Sequence, residues 1–375
     1  MKKAIVMTAL ILGLALAGLS SIASSGATTL KVATSSPRAS SPYKVAFILD
    51  GPLNDGGFDT AINIGMQQVK ATFGSKVQIT YKLNVPESPE SAQVIDSLVQ
   101  SGNQMIFATS FGYHTFMAAA AKQYPSVKFL QYESTELASN LSESYIGIDQ
   151  AWYLAGMAAG ALTKDNKLGF VGSFPIPSLL IQVNGFELGA QAVNPKATTR
   201  VLWMNSWYSP SAETQAAKSL VSSGIDVLAD GVDDPAVVQT GESLGVPVIG
   251  HDQPGMRSYA PKEWVTGALF LFGPYYVSQI KAALNGTWHS SNTYGLLKDG
   301  DTGLAPFGPA YKSLPASSRN EIQKREQELA SGTFNDLTGP IYSQKGTLEI
   351  PAGQQATITQ RETMSYLVKG VLGTA

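Results

Sequence analysis

The chain has 375 residues with 26 Lys plus Arg against 28 Asp plus Glu, a formal charge of −2; this length suggests two domains, and the lack of basic excess excludes nucleic-acid binding or membrane-surface steering as its main task. With 44% hydrophobic and 14% charged residues, against roughly 25% charged in an average domain, it has the apolar material for large cores. It has no cysteine, which removes disulfides, thiolate metal sites, iron–sulfur clusters and cysteine nucleophiles together.

In chain order, Lys2 and Lys3 precede the apolar run Ala4 to Ala17 and the small-residue stretch Ser20, Ser21, Ile22, Ala23. That is the order of an export signal, assigned to residues 1–23. Cleavage near Ala23 leaves a soluble product, and retention leaves a stretch just long enough to anchor in a bilayer; both remain open. A lipid anchor is not expected without a cysteine. Residues 24–42 are almost entirely Ser, Thr, Ala, Gly and Pro, too poor in large apolar groups to offset ordering entropy, and read as a flexible stalk. No later segment approaches 18 uninterrupted apolar residues.

A βα rhythm then begins. Lys44 to Leu49 predicts a buried strand, Phe58 to Phe73 a helix, Val77 to Asn84 a strand, Ala92 to Gln100 a helix, Met105 to Ala108 a strand, Thr115 to Gln123 a helix and Lys128 to Tyr132 a strand. The rhythm restarts after Tyr145 to Ile148, with a helix from Ala151, strands at Lys167 to Gly172, Thr199 to Met204, Val227 to Ala229 and Pro247 to Gly250, and helices between them. Alternation of this kind implies parallel sheets covered by helices. Two echoes link the runs: Ser97-Leu98-Val99-Gln100-Ser101-Gly102 with Ser219-Leu220-Val221-Ser222-Ser223-Gly224, and Gly65-Met66-Gln67-Gln68-Val69 with Gly189-Ala190-Gln191-Ala192-Val193. Nearly equal offsets at equivalent places favour two lobes of one design, with a ligand cleft at the carboxyl ends of their strands. Lobe 1 is assigned to residues 43–148 plus 266–290, returning through a helix at Gly273 to Asn285, and lobe 2 to residues 149–265 plus 291–375.

Catalytic signatures are mostly absent: no phosphate-binding loop, nucleophile elbow, zinc-protease motif or dinucleotide fingerprint occurs in the mature region. His114, His251 and His289 stand far apart and read as surface or hydrogen-bonded residues. Asp233 and Asp234 at a strand-to-helix junction fit an N-cap and its neighbour. The junctions themselves say more. Asp50 to Asp59 is a turn-rich loop that sets Phe58 at the start of the first helix; Thr109-Ser110-Phe111-Gly112-Tyr113 follows the third strand. The second lobe offers Phe174-Pro175-Ile176-Pro177, Asn205-Ser206-Trp207-Tyr208, and then Asp233 and Asp252. Aromatics with a few polar groups at strand ends suit a flat, hydrogen-bonding ligand, although aromatics at domain seams also serve as plain packing.

Several segments carry a resemblance. Phe47-Ile48-Leu49 leading to Asn54-Asp55-Gly56-Gly57-Phe58, then Ala108 to Tyr113, Tyr124 to Phe129, Leu168 to Gly172 and Asn205 to Tyr208 resemble the basic membrane protein (Bmp/Med) family, solute-binding proteins of ABC importers that include purine-nucleoside receptors. Pro175-Ile176-Pro177, Val193-Asn194-Pro195, Gly273-Pro274-Tyr275-Tyr276 and Leu284-Asn285-Gly286-Thr287-Trp288 are similar to its branch thought to bind purine bases. The resemblance runs from about Tyr43 to the end. It implies a type I periplasmic-binding fold: α/β, two Rossmann-like lobes, three hinge crossings and an interlobe cleft. It further implies a base sandwiched by Phe58 and Trp207, with polar contacts from Asn54, Asp55, Ser110, Tyr113 and Asp233; Phe111 and Phe174 join them as strand-end aromatics. Nucleoside receptors of the family hold ribose with an Asp and a following Lys; Asp252 fits the first, whereas Phe270 stands where the Lys is expected. Asp252 could instead hold a ring N–H or an exocyclic amine, or cap the Gln253-Pro254-Gly255 turn.

The expectation is an exported periplasmic or cell-surface protein, monomeric and without cofactor. It captures a purine, base over nucleoside, for an ABC permease. Two alternatives are a secreted nucleoside hydrolase-like enzyme, for which Asp55, Asp59, Asp233 and Asp252 are the available carboxylates, and a surface ligand sensor on the same fold.

Overall fold

The computed structural model describes residues 41–375. The expected export signal and all but the last two residues of the expected stalk lie outside the described residues.

The first βα run is β1 (Tyr43–Ile48), α1 (Phe58–Phe73), β2 (Val77–Lys82), α2 (Glu90–Gln100), β3 (Met105–Ala108), α3 (His114–Gln123), β4 (Lys128–Tyr132) and β5 (Leu141–Ile146). The second is α4 (Asp149–Leu162), β6 (Lys167–Gly172), α5 (Pro177–Val193), β7 (Thr198–Trp203), α6 (Pro210–Ser222), β8 (Val227–Gly231), α7 (Ala236–Leu244), β9 (Val248–Gly250) and β10 (Trp264–Phe270). The chain continues through α8 (Phe272–Leu284), β11 (Asn292–Gly295) and β12 (Thr302–Leu304), and a tail carries a helix at Ala316–Ala330.

These strands form two large sheets, ordered β11-β5-β4-β3-β1-β2 and β12-β10-β9-β8-β6-β7 followed by the tail strand Val371–Leu372. All pairs are parallel except β10 with β12. Each lobe thus contains the doubly wound order 2-1-3-4-5, which places a switch point between the first and third strands of each run. The central strands are apolar on both faces, as helix-covered parallel strands must be; in β1, Val45, Ala46, Phe47 and Ile48 are all buried. Phe47 stacks on Phe107 of β3 at 4.7 Å between ring centroids, with Tyr276 of α8 edge-on to both. Burying each such side chain is worth about 1.5–3 kcal/mol.

The sequence echoes fall at equivalent structural positions. Gly102 and Gly224 follow the ends of α2 and α6 with φ of 82° and 91°, where a side chain would be strained. After each, the same pair of backbone bonds forms: Asn103 N to Leu98 O and Ile225 N to Leu220 O, then Gln104 N to Lys44 O and Asp226 N to Lys167 O. Gly65 packs α1 against α8, and Gly189 packs α5 against α4.

The chain passes between the sheets after β5, after β10 and again after β11. Two expected boundaries therefore move. Residues 266–270 belong to β10 in the second sheet, and the first sheet's share resumes at α8, which packs on α1. Residues 292–295, expected in lobe 2, form β11 and pair with β5. An apolar strand carries no mark of which of two similar sheets it joins, so an element's kind is legible where its partner is not.

Candidate ligand-binding site

The carboxyl ends of both sheets meet around a cavity. From lobe 1 it is lined by Asp50 beyond β1, Phe58 at the first turn of α1, Thr109, Ser110 and Phe111 beyond β3, and Tyr132 and Glu133 at the end of β4. From lobe 2 come Leu179 and Gln182 of α5, Trp207 beyond β7, Asp233 beyond β8, His251 beyond β9 and Phe270 of β10. Glu133, Asn205 and Asp252 adopt φ of 58°, 52° and 66°, costly conformations for residues other than glycine that cluster where a backbone is re-aimed at a site.

Two aromatic groups face the cavity from opposite lobes. Phe58 is set by the cap of α1: Asp55 accepts from the backbone N–H groups of Gly57, Asp59 and Thr60 and from the Thr60 hydroxyl. Its ring stands edge-on to Phe270 and Phe272 at 5.3 and 5.5 Å. Trp207 is braced by Phe174, 4.8 Å away and inclined at 62°, and its carbonyl accepts from Asp233 N–H. Its indole N–H donates across the cleft to Glu87 at 3.2 Å, and Gln253 Nε2 donates across to the carbonyl of Gly56 at 2.8 Å. The lobes are therefore joined around the cavity.

The wall carries carboxyl groups and no Lys or Arg. Burial, then the neighbouring Glu87 charge, pushes Asp50 up to about 7; burial pushes Glu133 up to about 7. Asp233 is held well above the ordinary carboxyl range by burial and then by Asp252 and Asp50. Oδ1 of Asp50 and both ring nitrogens of His251 are buried without a hydrogen-bond partner. Burial holds the His251 imidazolium down to about 3, so the ring is neutral, with one donor and one acceptor. The Gln182 carbonyl is taken by Trp152 Nε1 at 2.9 Å. Such a wall offers π faces, acceptors and neutral donors, which fits a planar heterocycle bearing both N–H groups and lone pairs. Among the described residues, no group of three or more His, Asp or Glu is arranged to hold a metal ion.

Of the residues expected from sequence, the cavity gathers Phe58, Ser110, Phe111, Trp207, Asp233 and Phe270. The other five are off its wall. Asn54 is exposed, Asp55 is occupied in capping α1, and Tyr113 is fully buried with its hydroxyl donating to Val85 O. Phe174 supports Trp207 from behind. Asp252 is fully buried beside Gly57, its Oδ1 3.0 Å from Nδ1 of His251 but out of line for a hydrogen bond. Sequence reasoning missed Asp50, Thr109, Tyr132, Glu133, Leu179, Gln182 and His251. Asp50, Glu133 and His251 fall within two residues of strand ends and share the signal that exposed Asp233; Leu179 and Gln182 sit inside a helix and carry no such mark.

The family model for Bmp, described as ABC transporter substrate-binding protein PnrA-like, matches residues 43–331. The chain belongs to the Bmp family. Over 333 residues, 89% of this chain and 94% of the relative, it is 33% identical to a purine-binding protein of Brucella abortus. It is 28% identical over 352 residues, 93% of this chain and 86% of the other, to an ABC transporter protein of Haloferax volcanii named for glucose binding. A solved ABC transporter solute-binding protein from Aeropyrum pernix superposes with a TM-score of 0.68 at 17% identity, covering 86% of this chain and 98% of that one; at that identity the likeness shows the fold. The fold of this Bmp protein is the type I periplasmic-binding fold, with two Rossmann-like lobes and a cleft between them. Bmp proteins are extracytoplasmic or surface-bound, and among the described residues no helix is long and apolar enough to cross a membrane.

Proposed function

We propose that this Bmp protein captures a purine, a free base in preference to its nucleoside, and presents it unchanged to an ABC permease, working as a monomer without cofactor. One observation carries the reading: Phe58 and Trp207 border the same cavity from opposite lobes, so both rings act on one flat ligand only when the lobes are together, and the ligand shifts the population toward the closed form. The purine-binding relative in Brucella supports the same ligand class. The preference for a base rests on Phe270, which stacks on Phe272 at 5.4 Å and gives the wall an apolar surface. A ribose hydroxyl buried there without a partner costs about 1–3 kcal/mol.

Competition titration with adenine, guanine, hypoxanthine, their nucleosides and glucose tests the reading. A base should bind most tightly; a nucleoside that outcompetes its own base overturns the preference, and glucose as the tightest ligand overturns the purine. A hydrolytic reading draws on Asp50 and Asp233, acids of raised pKa on the cavity wall. Incubation with inosine separates the two: a binding protein releases no base.

A further inference from the structure

Glu87 lies in the loop between β2 and α2, outside the cavity wall, yet three donors converge on its carboxylate. Oε1 accepts from the Ser110 hydroxyl at 2.5 Å and from Gly112 N–H at 2.6 Å. Both donors belong to lobe 1, in the segment beyond β3. Oε2 accepts from the indole N–H of Trp207 at 3.2 Å, a residue of lobe 2 that is 120 positions away. One oxygen is thus fixed on its own lobe while the other reaches across the cleft.

We infer that Glu87 is a positioning residue that latches the closed form by holding the Trp207 ring in place over the ligand. A carboxylate anchored by two donors presents its second oxygen in a set direction, and charge-assisted hydrogen bonds are about twice as strong as neutral ones. Among Phe, Tyr and Trp, only tryptophan carries an N–H on its ring edge, which leaves both faces free for stacking. The latch therefore accounts for an indole, rather than a phenyl, at position 207. It also gives Ser110 a different task from ligand contact: its hydroxyl is spent on Glu87. Phe174 braces the same indole on the lobe 2 side, so in the closed form the ring is held from both lobes. The contact exists only when the lobes are together, so its free energy adds to the closed population and to ligand affinity alike.

This inference rests on the cavity being the ligand site, so its test includes one arm that needs no ligand. The chain has no cysteine, and Lys122 on α3 and Lys218 on α6 are exposed, one on each lobe; K122C/K218C accepts a pair of spin labels without background. Glu87→Gln keeps the shape but turns an N–H₂ toward one of the three donors. Hypoxanthine affinity should fall about tenfold in E87Q and in Trp207→Phe, the double variant should be no weaker than the weaker single, and ligand-free melting should stay unchanged. Wild-type affinity in E87Q, or additive losses in the double variant, overturns the latch. Where wild-type protein binds no purine, the functional reading fails by itself and the label distances decide: a closed population lowered equally by E87Q and W207F supports the latch, and an unaltered one overturns it.

Discussion

Gly57, which caps α1 in lobe 1, lies directly against the backbone carbonyl of Asp233 in lobe 2: a Cβ built on it would overlap that oxygen and stand 2.8 Å from Oδ2 of Asp252. In this arrangement the start of the helix that carries Phe58 sits on the strand ends that carry the acids, with no room for a methyl group. Gly57→Ala should therefore wedge the lobes apart. Calorimetry is expected to show at least a tenfold loss of ligand affinity, and small-angle scattering a larger radius with ligand present. Wild-type affinity in this variant would mean that the contact does not gate closure.

Stacking supplies the second expectation. Base–aromatic stacking is worth about 1–3 kcal/mol per ring, so Trp207→Ala and Phe58→Ala should each weaken purine binding by about tenfold or more. The two variants should differ in stability. Phe58 packs against Phe270, Phe272 and Tyr132, so its loss also lowers the melting temperature, whereas Trp207 rests chiefly on Phe174. Titration and melting curves measured side by side check both halves.

How far the site was legible in the sequence depends on what each residue does. Phe58, Phe111, Trp207 and Asp233 were visible because a strand followed by a polar turn marks the end where a parallel sheet opens, and each falls just past such a point. Asp55 shows the same signal, yet its oxygens are consumed by the amides of α1; a capping acid and a ligand-facing acid have identical local sequence. Tyr113 fails for another reason, since the short turn after Ser110 directs its hydroxyl back to Val85. His251 looked unremarkable as one of three scattered histidines, and only the strand β9 brings it to the cavity. The paired 2-1-3-4-5 orders were foreshadowed by the repeated Ser-Leu-Val motif because it marks a helix end with a fixed backbone requirement. The return of β11 to the first sheet had no such marker.

The acids around the cleft give a dependence on pH. Asp50 and Asp59 are pushed up to about 7 and about 9, chiefly by burial, and Asp233 and Asp252 are raised well above the ordinary range for the same first cause. The folded chain thus holds these protons more tightly than the unfolded one. Their contribution to stability is complete below about pH 4, the unfolded carboxyl range, and is lost as pH rises through 7 to 9. Melting temperature should decline across that interval, and Asp59→Asn should flatten the decline. A midpoint that rises with pH there would show that the acids are relieved by some other charge.

Arg361 offers a test of the hinge. Its guanidinium, buried with only 3% of the side chain exposed, pairs with Asp149 and with Asp336 at 3.0 Å, and Asn335 accepts from it at 2.7 Å. Tyr294 of β11 donates to the other oxygen of Asp149. The network thereby joins the tail to the first interlobe crossing and to lobe 1. Removing one member of a buried charge cluster typically costs about 3–5 kcal/mol, so Arg361→Met should lower the denaturant midpoint clearly. Arg361→Lys should recover only part of the loss, because one ammonium does not reproduce the guanidinium fork. Equal midpoints for wild type and Met variant would remove the network from the account of hinge stability.

The tail strand Val371–Leu372 has a reach that its length conceals. It pairs with Thr199 and Arg200 of β7, and just beyond it the carbonyl of Thr374 accepts the indole N–H of Trp203 at 2.7 Å. Trp203 ends β7, four residues before Trp207. Residues 371–374 thus splint the strand that leads to Trp207. Deleting Thr374 and Ala375 should weaken ligand binding well before it lowers the melting temperature.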